Sequence, residues 1–186
     1  MRQGFILAQD IFAIATFVPP LTVRARMEAR LPKLPAGIQT FEEIRTEGYV
    51  YVDKTRFLVN LIDNGKAYFL SRPRRFGKSL TCSTLEALFQ GRTDLFKGLY
   101  AEEFLSRPNF KPSPVIRLDM SKVIAARGLG VLEETTTAVV RESAEKMDVA
   151  IPPNQQPEVA FRELIASAAK QHGAKVALLV DEYDKP

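Results

Sequence analysis

Residues 70–80 read LSRPRRFGKSL. Within them the window Arg72–Ser79, RPRRFGKS, keeps every fixed position of the Walker A pattern G-x-x-x-x-G-K-[ST] except the first, where Arg72 replaces glycine. A short apolar run, Ala67–Leu70, precedes it and is expected as a strand; a helix is expected to begin near Lys78. Such a strand–loop–helix wraps backbone N–H groups around phosphate oxygens, and the helix N-terminus adds partial positive charge. The phosphate-lining residues are then Arg74, Arg75, Phe76, Gly77, Lys78, Ser79 and Leu80. Lys78 is expected to reach the β- and γ-phosphates, and the Ser79 hydroxyl to bind Mg²⁺. The pattern points to a nucleoside triphosphate; a basic turn with no ligand is the alternative.

The far end of the chain favours the first reading. Val176–Val180, VALLV, is a continuous apolar run followed at once by Asp181-Glu182. A run apolar on both faces reads as a central parallel strand, and carboxylates at its C-terminal tip lie where open α/β sheets bind ligands. Asp181 there holds the Mg²⁺ shell in the manner of a Walker B residue, and Glu182 takes a proton from the attacking water. Both are expected within one side-chain length of Ser79, with the two motifs ending neighbouring strands.

The chain has 186 residues, 46% hydrophobic and 26% charged, enough for one α/β core. Its pI of 9.2 suggests a nucleic-acid binder until the charges are located. Arg2, Arg24, Arg26, Arg30 and Lys33 against Asp10 and Glu28 put most of the net +4 into residues 1–33. A near-neutral body with one basic loop argues for local phosphate binding. A lone cysteine, Cys82, excludes an intramolecular disulfide, fits the cytoplasm, and reads as a small buried hydrophobe. The apolar stretch Phe5–Leu21 is too short and broken to span a bilayer. Residues 1–33 read as a poorly structured extension, with Met27 as an alternative start.

Residues 34–186 read as one domain. Tyr49–Val52 is expected as a strand; Asp53 or Thr55 then caps a helix carrying Phe57, Leu58, Leu61 and Ile62, ended by Asn64-Gly65. The helix after the phosphate loop buries Leu85, Leu88 and Phe89 and closes at Gly91. Residues 92–113 suit short helices and loops. Pro114–Leu118 is a strand ending at Asp119, and Leu132, Val139 and Val140 mark a helix face. Pro157 opens a helix burying Phe161, Leu164, Ile165 and Ala168, stopped by Gly173. Strands alternating with helices make a mainly parallel sheet covered on both faces.

Three segments, LPAGIQTFEEIRTEGYVYVDKT, AYFLSRPRRFGKSLTCSTL and ALLVDEYDKP, resemble the AAA-ATPase-like proteins of bacteria and archaea, over about residues 32–186. In that family the phosphate loop typically reads RPRRFGKS, so Arg72 does not damage the motif. The resemblance implies a P-loop NTPase fold, three-layer α/β/α and here incomplete at the C-terminus. It implies ATP and Mg²⁺ as ligands, with Lys78 and Ser79 binding nucleotide and Asp181 and Glu182 serving the metal and the water. Members often carry a C-terminal PD-(D/E)XK nuclease-like domain, through which nucleic acid would be a partner. The segment Tyr51–Thr55, YVDKT, is placed near the nucleotide only by analogy. The γ-phosphate sensor, any arginine finger and further strands would follow Pro186, so the chain reads as an N-terminal fragment.

Arg72, Arg74 and Arg75 meet either phosphate or nucleic acid. His172 falls in the last turn of a helix, where a cation suits the dipole. Asp119 either joins the site or caps the next turn. No Cys/His cluster suggests zinc. Two functions stand: an ATPase whose hydrolysis drives an attached domain, and a nucleotide-binding or interaction module without turnover. A small-molecule kinase fits the Asp181-Glu182 pair less well. The oligomeric state is not legible.

Overall fold

From Phe41 onward the computed structural model runs α1 (Phe41–Thr46), α2 (Thr55–Asn64), α3 (Lys78–Phe89), a 3-10 turn (Thr93–Phe96) and α4 (Ala101–Leu105). There follow β1 (Val115–Asp119), a 3-10 turn (Met120–Lys122), α5 (Leu129–Lys146), α6 (Pro157–His172) and β2 (Ala177–Asp181). The structure describes residues 32–73 and 75–183. The expectations for residues 1–31, including the extension and its charges, and for Arg74 lie outside the described residues.

Helix ends follow local chemistry. Gly91 (φ +72°) closes α3: its N–H reaches the Leu88 carbonyl and the Arg92 N–H reaches Ala87, both at 3.1 Å. Pro157 occupies the first turn of α6 and Gly173 (φ +59°) terminates it.

The architecture is α/β with a parallel sheet. β1 and β2 pair in parallel, from Val115 opposite Ala177 to Asp119 opposite Asp181, across the α5–α6 crossover. Two expected strands are corrected. Tyr49–Val52 and Ala67–Leu70 form no ladder among the described residues. The Tyr49 and Val50 N–H groups bond instead to the carbonyls of Ile44 and Lys33, and every residue of Ala67–Leu70 is exposed. β propensity describes what a strand suits; a ladder also needs a partner edge. β2 is not apolar-buried on both faces either: Leu178 and Val180 are 44% and 41% exposed, while Asp181 is buried. Phe57 is likewise exposed, since α2 turns Leu58 and Val59 inward.

Buried apolar residues form two clusters. One gathers Phe41, Leu58, Leu88, Phe96, Ala101 and Phe104 from α1 to α4. The other packs Ile116 and Leu118 of β1 against Val139, Val140, Ala160 and Leu164 of α5 and α6. Helix α3 joins them, since Ala87 and Leu88 enter the first cluster while the helix also packs on β1 and β2.

The Tyr51–Thr55 segment fastens the first cluster. Asp53 Oδ1 accepts from the Thr55 N–H (2.8 Å) and hydroxyl (2.7 Å), and Oδ2 accepts from the Tyr100 N–H (2.7 Å). Thr55 Oγ1, fully buried, accepts from the Ala101 N–H at 3.0 Å. Two helix N-termini, those of α2 and α4, thus share one Asp–Thr clasp. Burial pushes the Asp53 carboxyl up, but the donors from Tyr100 and Thr55 outweigh it and leave it below its ordinary value.

Thr55→Val keeps the shape and strands the Ala101 N–H, so it should destabilise by about 1–3 kcal/mol. Thermal melts should show a loss of several degrees. Because the folded Asp53 pKa is depressed, its contribution is present above about pH 4 and lost as pH falls through the folded value. The margin of wild type over Thr55→Val should therefore narrow below about pH 4; a margin independent of pH would contradict the clasp.

Candidate functional site

Gly77 is the hinge of the loop. It takes the left-handed conformation (φ +75°, ψ +27°) at the N-cap of α3, where no described side chain caps the helix. Its carbonyl accepts from the Thr81 N–H (2.9 Å) and hydroxyl (2.8 Å), locking the first turn. Arg75 also has positive φ, +66°. Positive φ at Arg75 and Gly77 therefore flanks Phe76 in the turn that leads into α3. Arg72, Arg75, Phe76 and Gly77 are exposed, while Lys78, Ser79 and Leu80 are half-buried.

Ser79, Cys82, Ser83 and Glu86 follow i, i+3, i+4, i+7 spacing and so share one side of α3. Glu86 lies about 10 Å along the axis from Ser79. This side meets the sheet. Glu86 Oε2 accepts from Arg117 Nη1 of β1 at 3.1 Å, and Arg117 Nη2 donates to Asp181 Oδ2 of β2 at 3.2 Å. Burial works against the Arg117 charge, but the two carboxylates more than offset it and raise the guanidinium above its ordinary value. Cys82 is pushed up to about 11, first by burial and then by the Asp181 charge, so the thiol lies within reach of that carboxylate's field.

Asp181 is only 6% exposed. Besides Arg117, its Oδ1 accepts from the Glu182 N–H at 3.0 Å. Glu182 is half-buried with positive φ, +54°. Immediately beyond, the Tyr183 ring lies 4.9 Å from Phe69, centroid to centroid. The residues that lead into the phosphate loop therefore touch those that leave the carboxylate pair, although they do not run as neighbouring strands. Among the described residues no group of three or more His, Cys, Asp or Glu could hold a metal.

Asp119 caps the next turn: its Oδ1 accepts from the Ser121 N–H at 3.0 Å. His172 is exposed in the last turn of α6. Tyr51 packs on Phe41 at 5.1 Å, centroid to centroid, against the same cluster that Ala87 and Leu88 of α3 enter. Arg117 and Glu86 were not anticipated from the pattern. The signal was an arginine inside an otherwise apolar strand, which burial tolerates only with a partner.

The description "Predicted AAA-ATPase" belongs to the family whose model matches residues 35–186. A protein of Azotobacter chroococcum mcd 1, described as "Uncharacterized protein in vnfD 5'region", is 41% identical over 155 residues, covering 83% of this chain and 29% of that protein. The chain thus spans under a third of that relative's length. No solved structure matches. Among the described residues, no helix is long and apolar enough to cross a membrane.

With its pKa at about 11, the Cys82 thiol is almost wholly protonated at pH 8. Alkylation by iodoacetamide should run roughly a hundredfold slower in the folded chain than in denaturant. Equal rates would show that burial does not protect it.

Proposed function

The chain belongs to the AAA-ATPase-like family, and from that premise we propose that residues 34–186 bind ATP with Mg²⁺ within a three-layer α/β/α P-loop domain. The observation that carries this reading is the start of α3 behind left-handed Gly77, which no described side chain caps, with the same helix packed on β2, whose last residue is the buried Asp181. An uncapped N-terminus presents donors and dipole to anionic oxygens. Arg75, Phe76, Gly77, Lys78, Ser79 and Leu80 line the phosphates, with Arg74 completing the loop. Lys78 neutralises the β- and γ-phosphates.

The donors suit Mg²⁺. One hydroxyl, Ser79, and one buried carboxylate, Asp181, make no all-protein cage, and Mg²⁺ is ordinarily held by few protein ligands plus phosphate and water. Bound there, it supplies charge neutralisation for the transferring phosphoryl group. Glu182 follows Asp181 on a left-handed turn and takes the proton of the attacking water. Hydrolysis, a cytoplasmic location and nucleic-acid contact through a nuclease-like domain are further parts of this proposal.

Calorimetric titration should show Mg·ATP binding to the wild-type chain and its loss in Lys78→Ala. Glu182→Gln should keep the affinity within about threefold while abolishing turnover in a form that hydrolyses ATP. Equal affinity of wild type and Lys78→Ala would refute the nucleotide assignment.

A further inference from the structure

We infer that Arg117 is a positioning residue that acts as resident counter-cation for Asp181, swinging onto Glu86 alone when a divalent cation arrives; this rests on the Mg²⁺ reading above. The guanidinium spans two carboxylates of unequal setting. Asp181 is 6% exposed and the Glu86 side chain 30% exposed. A carboxylate as enclosed as Asp181 needs a positive partner, and among the described residues Arg117 Nη2 touches it, at 3.2 Å. The Glu182 N–H holds the other oxygen.

A divalent cation drawing on Asp181 would stand against that guanidinium, and two cations on one carboxylate repel. Glu86 gives Arg117 somewhere to stay, because its contact at 3.1 Å uses a different nitrogen, Nη1. The Arg117 backbone need not move: its carbonyl is held by the Ser143 hydroxyl at 2.9 Å. Arg117 therefore holds Asp181 in place before metal binds and competes with metal for it afterwards. Since Glu86 belongs to α3, the exchange is felt by the helix that begins at the phosphate loop.

The pairing gives opposite signs in two variants. Arg117→Gln removes the competitor; Glu86→Gln leaves Arg117 with Asp181 alone and tightens the competition. Mn²⁺ titrated into the full chain at saturating ATP and read by electron paramagnetic resonance serves as the probe, because the phosphates supply the ligands that Ser79 and Asp181 lack. Arg117→Gln should bind Mn²⁺ about tenfold tighter than wild type and Glu86→Gln several-fold weaker, shifts typical of coupled sites. Mn²⁺ should also recover most of the melting temperature that Arg117→Gln loses. If that variant does not fold, Arg117→Lys, which keeps the charge but cannot fork to both carboxylates, should still depart from wild type in Mn²⁺ affinity. Unchanged affinity in every variant, or a loss in both Arg117→Gln and Glu86→Gln, would make Arg117 a merely structural pair and overturn the inference. ATP titration in parallel separates the two readings: intact Lys78-dependent ATP binding with unmoved Mn²⁺ affinity sinks the counter-cation alone. Absent ATP binding sinks the nucleotide reading.

Discussion

One guanidinium joining two carboxylates on different elements is the interaction around which this α/β body is arranged. Helix α3 contributes Glu86, β1 contributes Arg117 and β2 contributes Asp181. Each group would be costly on its own in a half-buried setting, and together they fix the roll of α3 over the sheet. The buried contacts act with them. Ala87 and Leu88 draw α3 toward the first cluster, and the second cluster is built by β1, α5 and α6. The buried side of α3, with Ser83 Oγ accepting from the Phe41 N–H at 2.9 Å, and the charged bridge together set which side faces the sheet. That side carries Ser79.

Much of the fold was legible from local signals. Pro157 and Gly173 bound α6, and Gly91 ends α3, because these residues restrict or free backbone angles whatever surrounds them. The parallel pairing of residues 115–119 with 177–181 follows from two apolar runs separated by helical periodicity. The failures share a cause. Tyr49–Val52 and Ala67–Leu70 have strand composition yet form no ladder, because pairing depends on an available edge rather than on the segment itself. The run at Val176–Val180 looks the same whether one face of it is covered or not.

The site was legible in part for a related reason. The sequence names candidate groups for a ligand, here the loop motif and the Asp-Glu pair. It is silent on what holds those groups in place. Arg117 lies 39 residues from Lys78 and 64 from Asp181, and no spacing rule links them. Only a charge inside an apolar strand hinted at a buried partner. Phe69 and Tyr183, each unremarkable in its own segment, meet because the fold brings the approach to the loop and the exit from β2 together.

Backbone strain completes the account. Arg75 and Glu182 both adopt positive φ, where a side chain costs about 1–2 kcal/mol, and they flank the two halves of the candidate site. Such conformations persist where neighbours over-determine them. For Glu182 the restraint is visible: its N–H is held by Asp181 Oδ1 while Arg117 holds Oδ2. The orientation of the Glu182 backbone therefore depends on the same carboxylate that Arg117 steadies. Any cation that draws Asp181 away from Arg117 acts on a residue whose backbone is already strained. A change of partner at one buried carboxylate thus reaches both the loop helix, through Glu86, and the proposed base, through the Glu182 N–H.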